Sequence, residues 1–229
     1  MVRTRIHHIR LLGLALAFVA ILPIEGRADL SQTYRFYHIT YNDTNPEGGF
    51  DYLIGDAQLS VDVSADSLAS PRVCFTFNNV GLAESSITDV YFYDGALIDF
   101  DAATLSWRGE VSFSQGAMPQ DLPGLPKNPT RVYSADSNPG KPGTMANGVN
   151  PGEALDILFD LQGPNTLADV LNDLGTEELL VGIHVQGFAS GGSEAFVVVP
   201  VPAGVVLGML GLGVAGVKLR KFVSKPDSG

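Results

Sequence analysis

The stretch Asp43-Thr44-Asn45-Pro46-Glu47-Gly48-Gly49-Phe50-Asp51 carries oxygen-bearing side chains at alternate positions and a glycine at the sixth. An EF-hand loop begins to wrap calcium with that spacing. Asp43, Asn45, Glu47 and Asp51 are therefore candidate Ca²⁺ ligands. The twelfth position is Ile54 where the motif needs a bidentate Glu, and no flanking helices are expected. A polar turn between strands is the competing reading.

Other constellations carry less chemistry. Gly191-Gly192-Ser193-Glu194-Ala195 fits the letters of a nucleophile elbow. That motif needs a strand before the serine, a helix after it and a histidine later in the chain. Here a strand follows, and His38 and His184 both precede Ser193. Asp99 and Asp101 are two apart, so on a strand they share one face. Paired acids hydrolyse glycosides only when held at a set separation, and a solvated face explains the pair as well. Two histidines without a partner motif do not make a transition-metal site. Cys74 lies in the alternating run RVCFTFNN, with no base nearby to activate a thiol. No catalytic residue is assigned.

The elements that must position these groups read as β. TYRFYHITY (33–41), AQLSVDV (57–63), RVCFTFN (72–78), DVYFY (89–93), LSWRGEVSFS (105–114), LDILFDL (155–161), LLVGIHVQGF (179–188) and EAFVVV (194–199) are strand candidates. Leu59, Val61 and Val63 alternate with polar residues, as do Val73, Phe75 and Phe77, and Leu155, Ile157, Phe159 and Leu161. A period of two with one polar face predicts antiparallel sheets with one side in water. Asp94-Gly95 suits a type I′ hairpin turn. Leu167, Val170, Leu171 and Leu174 predict one short amphipathic helix, capped by Asn165 or Thr166 and stopped at Gly175. Residues 115–152 hold seven of the fourteen prolines and predict a long surface loop. The expected fold is all-β, an antiparallel β-sandwich or jelly roll over 29–198, with an N-terminal signal helix and a C-terminal transmembrane helix.

Charge narrows the partners. Residues 29–199 hold 23 Asp and Glu against six Lys and Arg. Such a domain repels nucleic acid, because phosphate binding needs Lys and Arg to displace counterions. Divalent cations, cationic partners or neutral polysaccharide remain compatible. The lone cysteine rules out an intrachain disulfide.

The two ends are more specific. Residues 1–28 have a basic start at Arg3, Arg5 and Arg10, an apolar run from Leu11 to Leu22, and the small residues Gly26 and Ala28 before a cut at Asp29. This pattern reads as a secretory signal peptide, with an uncleaved anchor helix as the competing reading, and implies the Sec translocon and signal peptidase as partners. At the other end, residues 203–217 carry no charge and are followed by Lys218, Arg220 and Lys221. A helix of that length spans roughly 22 Å, short of the ~30 Å hydrocarbon core, and the basic stop keeps its end cytoplasmic. Gly211 to Gly216 spells GxGxxG without the βαβ context a dinucleotide site needs.

Val199-Pro200-Val201-Pro202-Ala203-Gly204, the glycine-rich helix and the basic cluster together resemble the PEP-CTERM sorting signal, in a VPxPA-like form without the glutamate. The resemblance covers about residues 199–222. It implies an exported protein of a Gram-negative bacterium, held briefly at the inner membrane. An exosortase-like membrane protease would cut it near Pro200, Val201, Pro202, Ala203 and Gly204 and release it to the surface. SSITDVYFYDG (85–95) and VGIHVQGFASGGSEAFV (181–197) resemble the small exported β domains that bear such tails. The functional expectation is a non-catalytic surface or matrix protein of structural or adhesive role. The alternatives are a carbohydrate- or calcium-binding module and a glycan-active enzyme. Exposed Tyr or Trp on one sheet face, such as Trp107, would mark binding to extracellular polysaccharide.

Overall fold

The computed structural model describes residues 30–42, 50–65, 70–125, 129–138 and 144–198. The signal segment with Ala28 and Asp29, the positions Asp43, Asn45 and Glu47, and the whole tail from 199 onward lie outside the described residues. That tail includes the motif Pro200 to Gly204, the helix 203–217, Lys218, Arg220 and Lys221.

The elements run β1 (Leu30–His38), α1 (Asp51–Gln58), β2 (Leu59–Ala65), β3 (Arg72–Asn79), β4 (Ser86–Asp94), β5 (Ile98–Arg108), β6 (Ser114–Gln115), β7 (Arg131–Asp136), β8 (Ala154–Leu161), α2 (Leu167–Thr176), β9 (Leu179–Gln186) and β10 (Glu194–Val198). The fold is all-β and antiparallel, a ten-stranded sheet in the order β5-β8-β3-β2-β1-β10-β9-β4-β7-β6. β1 joins its two halves. Leu30 to Arg35 pair with β2, while Phe36 to His38 pair with β10.

The halves face each other. Phe75 of β3 meets Phe92 of β4 at a ring separation of 5.0 Å, and Phe159 of β8 meets Tyr133 of β7 at 5.1 Å. The alternating residues of β2, β3 and β8 fill this core as the period of two predicts. Their opposite faces carry polar groups that bond one another across strands. Asn78 donates to Asp62 at 2.9 Å and Thr76 to Asp156 at 2.6 Å. Because the core among the described residues runs from Tyr34 to Val198, residues 29–198 alone should give a β-type circular dichroism spectrum. A helical or coil spectrum would refute independent folding.

β4 breaks the pattern, since every residue from Ser86 to Tyr93 is buried. Val90 and Phe92 face the main core. Tyr91 and Tyr93 lie in a second small cluster with Leu122, which rides on a strap formed by residues 116–125. The Tyr91 hydroxyl donates to the Pro119 carbonyl at 2.9 Å, and the Leu122 N–H donates to the Tyr93 oxygen at 2.7 Å. Gly182 on β9 makes room for the strap, because a Cβ there would lie 2.5 Å from a Leu122 methyl.

Several expectations need correction. Among the described residues there are two helices where one was expected. α1 is only eight residues long, and Ala57 and Gln58 belong to it rather than to β2. Its middle residue, Gly55, sits against the ring of Phe196, and a Cβ would come within 2.1 Å of that ring. Helix α2 begins as expected, with the Thr166 N–H and hydroxyl both donating to Asp169. It runs past Gly175 and reverses at Glu177, with φ of 64°, where the next carbonyl, of Glu178, accepts from Gly95 at 3.0 Å.

Asp94 and Gly95 do have the positive φ angles of the expected turn, 56° and 84°. They make no hairpin, since β5 leaves for the far edge beside β8. The run 105–114 is split at Gly109, with φ of 100°. The supposed long loop contains β7, whose buried Ser134 and Asp136 hide its strand character. No helix among the described residues is long and apolar enough to cross a membrane.

Candidate functional site

Three loops meet at one end of the sheet: 80–85 after β3, 144–153 before β8, and 187–193 between β9 and β10. They enclose a groove of about 660 Å³. Two buried amides hold it open. The Gln58 amide donates to Asn79 Oδ1 at 3.0 Å, the Ala83 carbonyl at 2.9 Å and the Ser85 hydroxyl at 2.6 Å. The Asn79 amide in turn donates to the carbonyls of Ser85 and Val149, at 3.1 and 3.2 Å. Buried amides with partners fix loop geometry strongly, because losing one leaves an uncompensated polar group.

Glu153 braces the 144–153 loop. It accepts from the Asn150 N–H and side-chain amide, both at 3.0 Å, and from the Glu110 N–H at 2.7 Å. Partial burial opposes its ionisation, but these donors win and hold the carboxyl below its ordinary range. The third loop is pinned to α1 and to the segment that follows β1. Ser190 donates to Asp51, and the Asn42 amide donates to the Ser193 carbonyl at 2.8 Å.

The groove mixes polar and apolar groups. Asn150, Gln186 and Ser193 face it beside Met145 and Pro151, with Glu84 as the one charged residue in its lining. Among the described residues, the side chains of Glu84, Gln186 and Ser193 make no hydrogen bond to the protein. They are free to bond a ligand.

Beside the groove lies an aromatic shelf. Tyr37, Tyr41 and Phe50 are 50%, 65% and 44% exposed. Tyr37, Tyr41 and Tyr52 surround the buried His38, their rings 4.3, 4.6 and 4.5 Å from its own, and Phe50 packs on Tyr52 at 5.4 Å. Asp56 orients His38 through a contact of 2.8 Å at Nδ1. Tyr41 adjoins Asn42, the residue that holds Ser193 at the groove.

The residues singled out in the sequence fall elsewhere or play other parts. Asp51 is fully buried as the first residue of α1, so a helix does follow the proposed calcium loop. Among the described residues no three His, Cys, Asp or Glu gather as a metal site. Ser193 leads into β10, and the next residue, Glu194, is buried and accepts from Thr40 and from the Asn42 N–H. His184 contacts Asp89 at 3.1 Å, so neither histidine serves Ser193. Asp99 and Asp101 lie on the edge strand β5, where the Asp101 N–H donates to Asp99 at 3.1 Å. Trp107 pairs with Leu155, which puts it at the rim of the core face, not on the open face. Cys74 Sγ lies 3.8 Å from the Thr76 hydroxyl.

A second polar cluster is sealed under the strap. Asp89 and Asp136 are cross-strand partners, both fully buried. Thr88 and His184 serve one Asp89 oxygen. The N–H groups of Met118 and Asn138 serve Asp136 at 3.2 and 2.6 Å. Burial raises the Asp136 carboxyl above its ordinary range, and the Asp89 charge adds to it.

Ser193 and His184 were weighed in the sequence only for other chemistry, and Glu84, Asn150, Gln186, Asp89 and Asp136 did not stand out. The Asn- and Gly-rich loops were the only hint of the groove. The chain matches no family model, no curated protein and no solved structure.

Proposed function

We propose that this chain is an exported protein of the cell surface or extracellular matrix, delivered by its PEP-CTERM-like tail. Its domain, a β-sandwich of jelly-roll kind, serves adhesion or matrix structure and not catalysis. The observation that supports this most is the junction at Val198. The domain is packed right up to that residue, which is buried in β10, and the Pro200-Val201-Pro202 motif follows two residues later. A proline-spaced segment that cannot extend the ladder thus separates a finished domain from a removable address. The Sec translocon, signal peptidase and an exosortase-like protease are the processing partners of this route.

Epitope tags after Asp29 and after Lys221 should therefore part company in the native host. The first should reach the surface or matrix while the second stays with the membrane. Pro200→Ala with Pro202→Ala should keep both in the inner membrane. If the unaltered protein retains both tags on one chain at its final location, a plain tail anchor replaces the sorting signal.

A further inference from the structure

We propose that the loop groove and the adjoining tyrosines bind a neutral, hydroxyl-rich saccharide chain. This refines the adhesive reading by naming a ligand class, and it is independent of how the tail is processed.

The groove's volume of about 660 Å³ falls within the roughly 300–1,000 Å³ of small-molecule sites. Its chemistry then selects the ligand. Among the described residues the lining holds no Lys, Arg or His, and it carries Glu84. Phosphate, sulfate and uronate groups would meet no counter-charge and one repelling carboxylate. A purely apolar ligand would strand the amide of Gln186 and the hydroxyl of Ser193. An amide offers a donor and an acceptor side by side, which suits a pair of vicinal hydroxyls. Met145 and Pro151 supply apolar surface for the C–H face of a sugar ring.

The neighbouring shelf fits the same class. Tyr37, Tyr41 and Phe50 expose flat aromatic surface, on which pyranose rings stack. The buried His38 Nε2, enclosed by the tyrosine rings, has no hydrogen-bond partner among the described residues. Asn42 connects the two areas, with Tyr41 on its N-terminal side and its amide on the Ser193 carbonyl. A chain seated in the groove at Ser193 would therefore extend over Tyr41. The open sheet face is not part of the site, since its Asp62, Asn78, Thr76 and Asp156 are spent on one another.

The test is calorimetric titration of the full-length chain in a zwitterionic, sugar-free detergent. The probes are neutral gluco-, manno-, galacto- and N-acetylglucosamine oligosaccharides, as dimers and hexamers, and oligogalacturonate. At least one neutral series should bind, with oligogalacturonate about tenfold weaker or worse. Gln186→Ala combined with Ser193→Ala should weaken the neutral ligand about tenfold without lowering the melting temperature. Glu84→Lys should narrow or reverse the preference over uronate. Tyr41→Ala should weaken the hexamer and spare the dimer. The proposal is overturned if no neutral series binds at millimolar concentration, if uronate binds equally well, or if the double variant binds unchanged. Hexamer binding unaffected by Tyr41→Ala would overturn the extension over the tyrosines. Mis-sorting of the tagged protein would leave these titrations untouched, so the two proposals fail separately.

Discussion

Phe92→Ala should unfold more of this protein than any surface change. Phe92 is fully buried, and its ring meets Phe75, Phe77, Phe100, Tyr133 and Phe159 at 5.0, 6.2, 5.8, 5.9 and 5.1 Å. These partners come from both halves of the sheet, so truncation opens a cavity at the centre. The expected loss is about 3–5 kcal/mol, or a fall of roughly 10 °C in melting temperature. Phe50→Ala is the control, since that ring is 44% exposed and surface changes stay within about 0.5 kcal/mol. Equal losses from the two variants would mean that the halves do not share one core.

The second large effect is at Asp136, and it depends on pH. Burial first, then the Asp89 charge, raise this carboxyl in the folded state, against the pull of the Asn138 and Met118 N–H groups. The unfolded chain ionises it in the ordinary carboxylate range. A raised folded value means that the stabilisation is complete below the unfolded value. It is lost as pH rises through the folded one. When Asp136 is protonated, a proton shared with Asp89 would supply the donor that Asp89 Oδ1 otherwise lacks.

Asp136→Asn puts a permanent donor there and keeps an acceptor for the two N–H groups. It should raise stability at pH 8 by about 1–2 kcal/mol, with a smaller gain at pH 4. Asp136→Ala orphans both N–H groups and should cost about 1–3 kcal/mol for each. Urea unfolding at the two pH values measures both. A loss for the asparagine variant at pH 8 as large as that of the alanine variant would refute the shared proton.

Legibility in the sequence followed solvent exposure. Strands β2, β3 and β8 have one wet face, so Val61, Phe75 and Ile157 alternate with Asp62, Thr76 and Asp156 and declare both element and face. β4 has two dry faces, and the period of two vanishes; only the strap explains why Tyr91 and Tyr93 are buried opposite Phe92. Helix α1 was hidden because two turns are too few for a helical period, and because Ala57 and Gln58 run on into a strand that does alternate. The Asp94-Gly95 pair fixed its own backbone angles but not its partners, since pairing is decided by which edges remain open. The groove was illegible for a related reason. Glu84 and Asn150 come from two separate loops and Gln186 from the end of β9, and only the strand order brings them together. Asp51 drew attention for its spacing from Asp43, yet its carboxylate is occupied by Ser190 across the fold.

The placement of β10 also has a mechanical meaning. The last described strand is not at an edge; it is clamped between β1 and β9, antiparallel to both, with Phe196 wedged over Gly55. A force applied to the chain beyond Val198, along the strand, would load both hydrogen-bond ladders in shear at once, where an edge strand would peel away bond by bond. Any tether at that end, permanent or brief, would then pull on one of the most resistant parts of the domain. The short outer strand β6 would yield long before it.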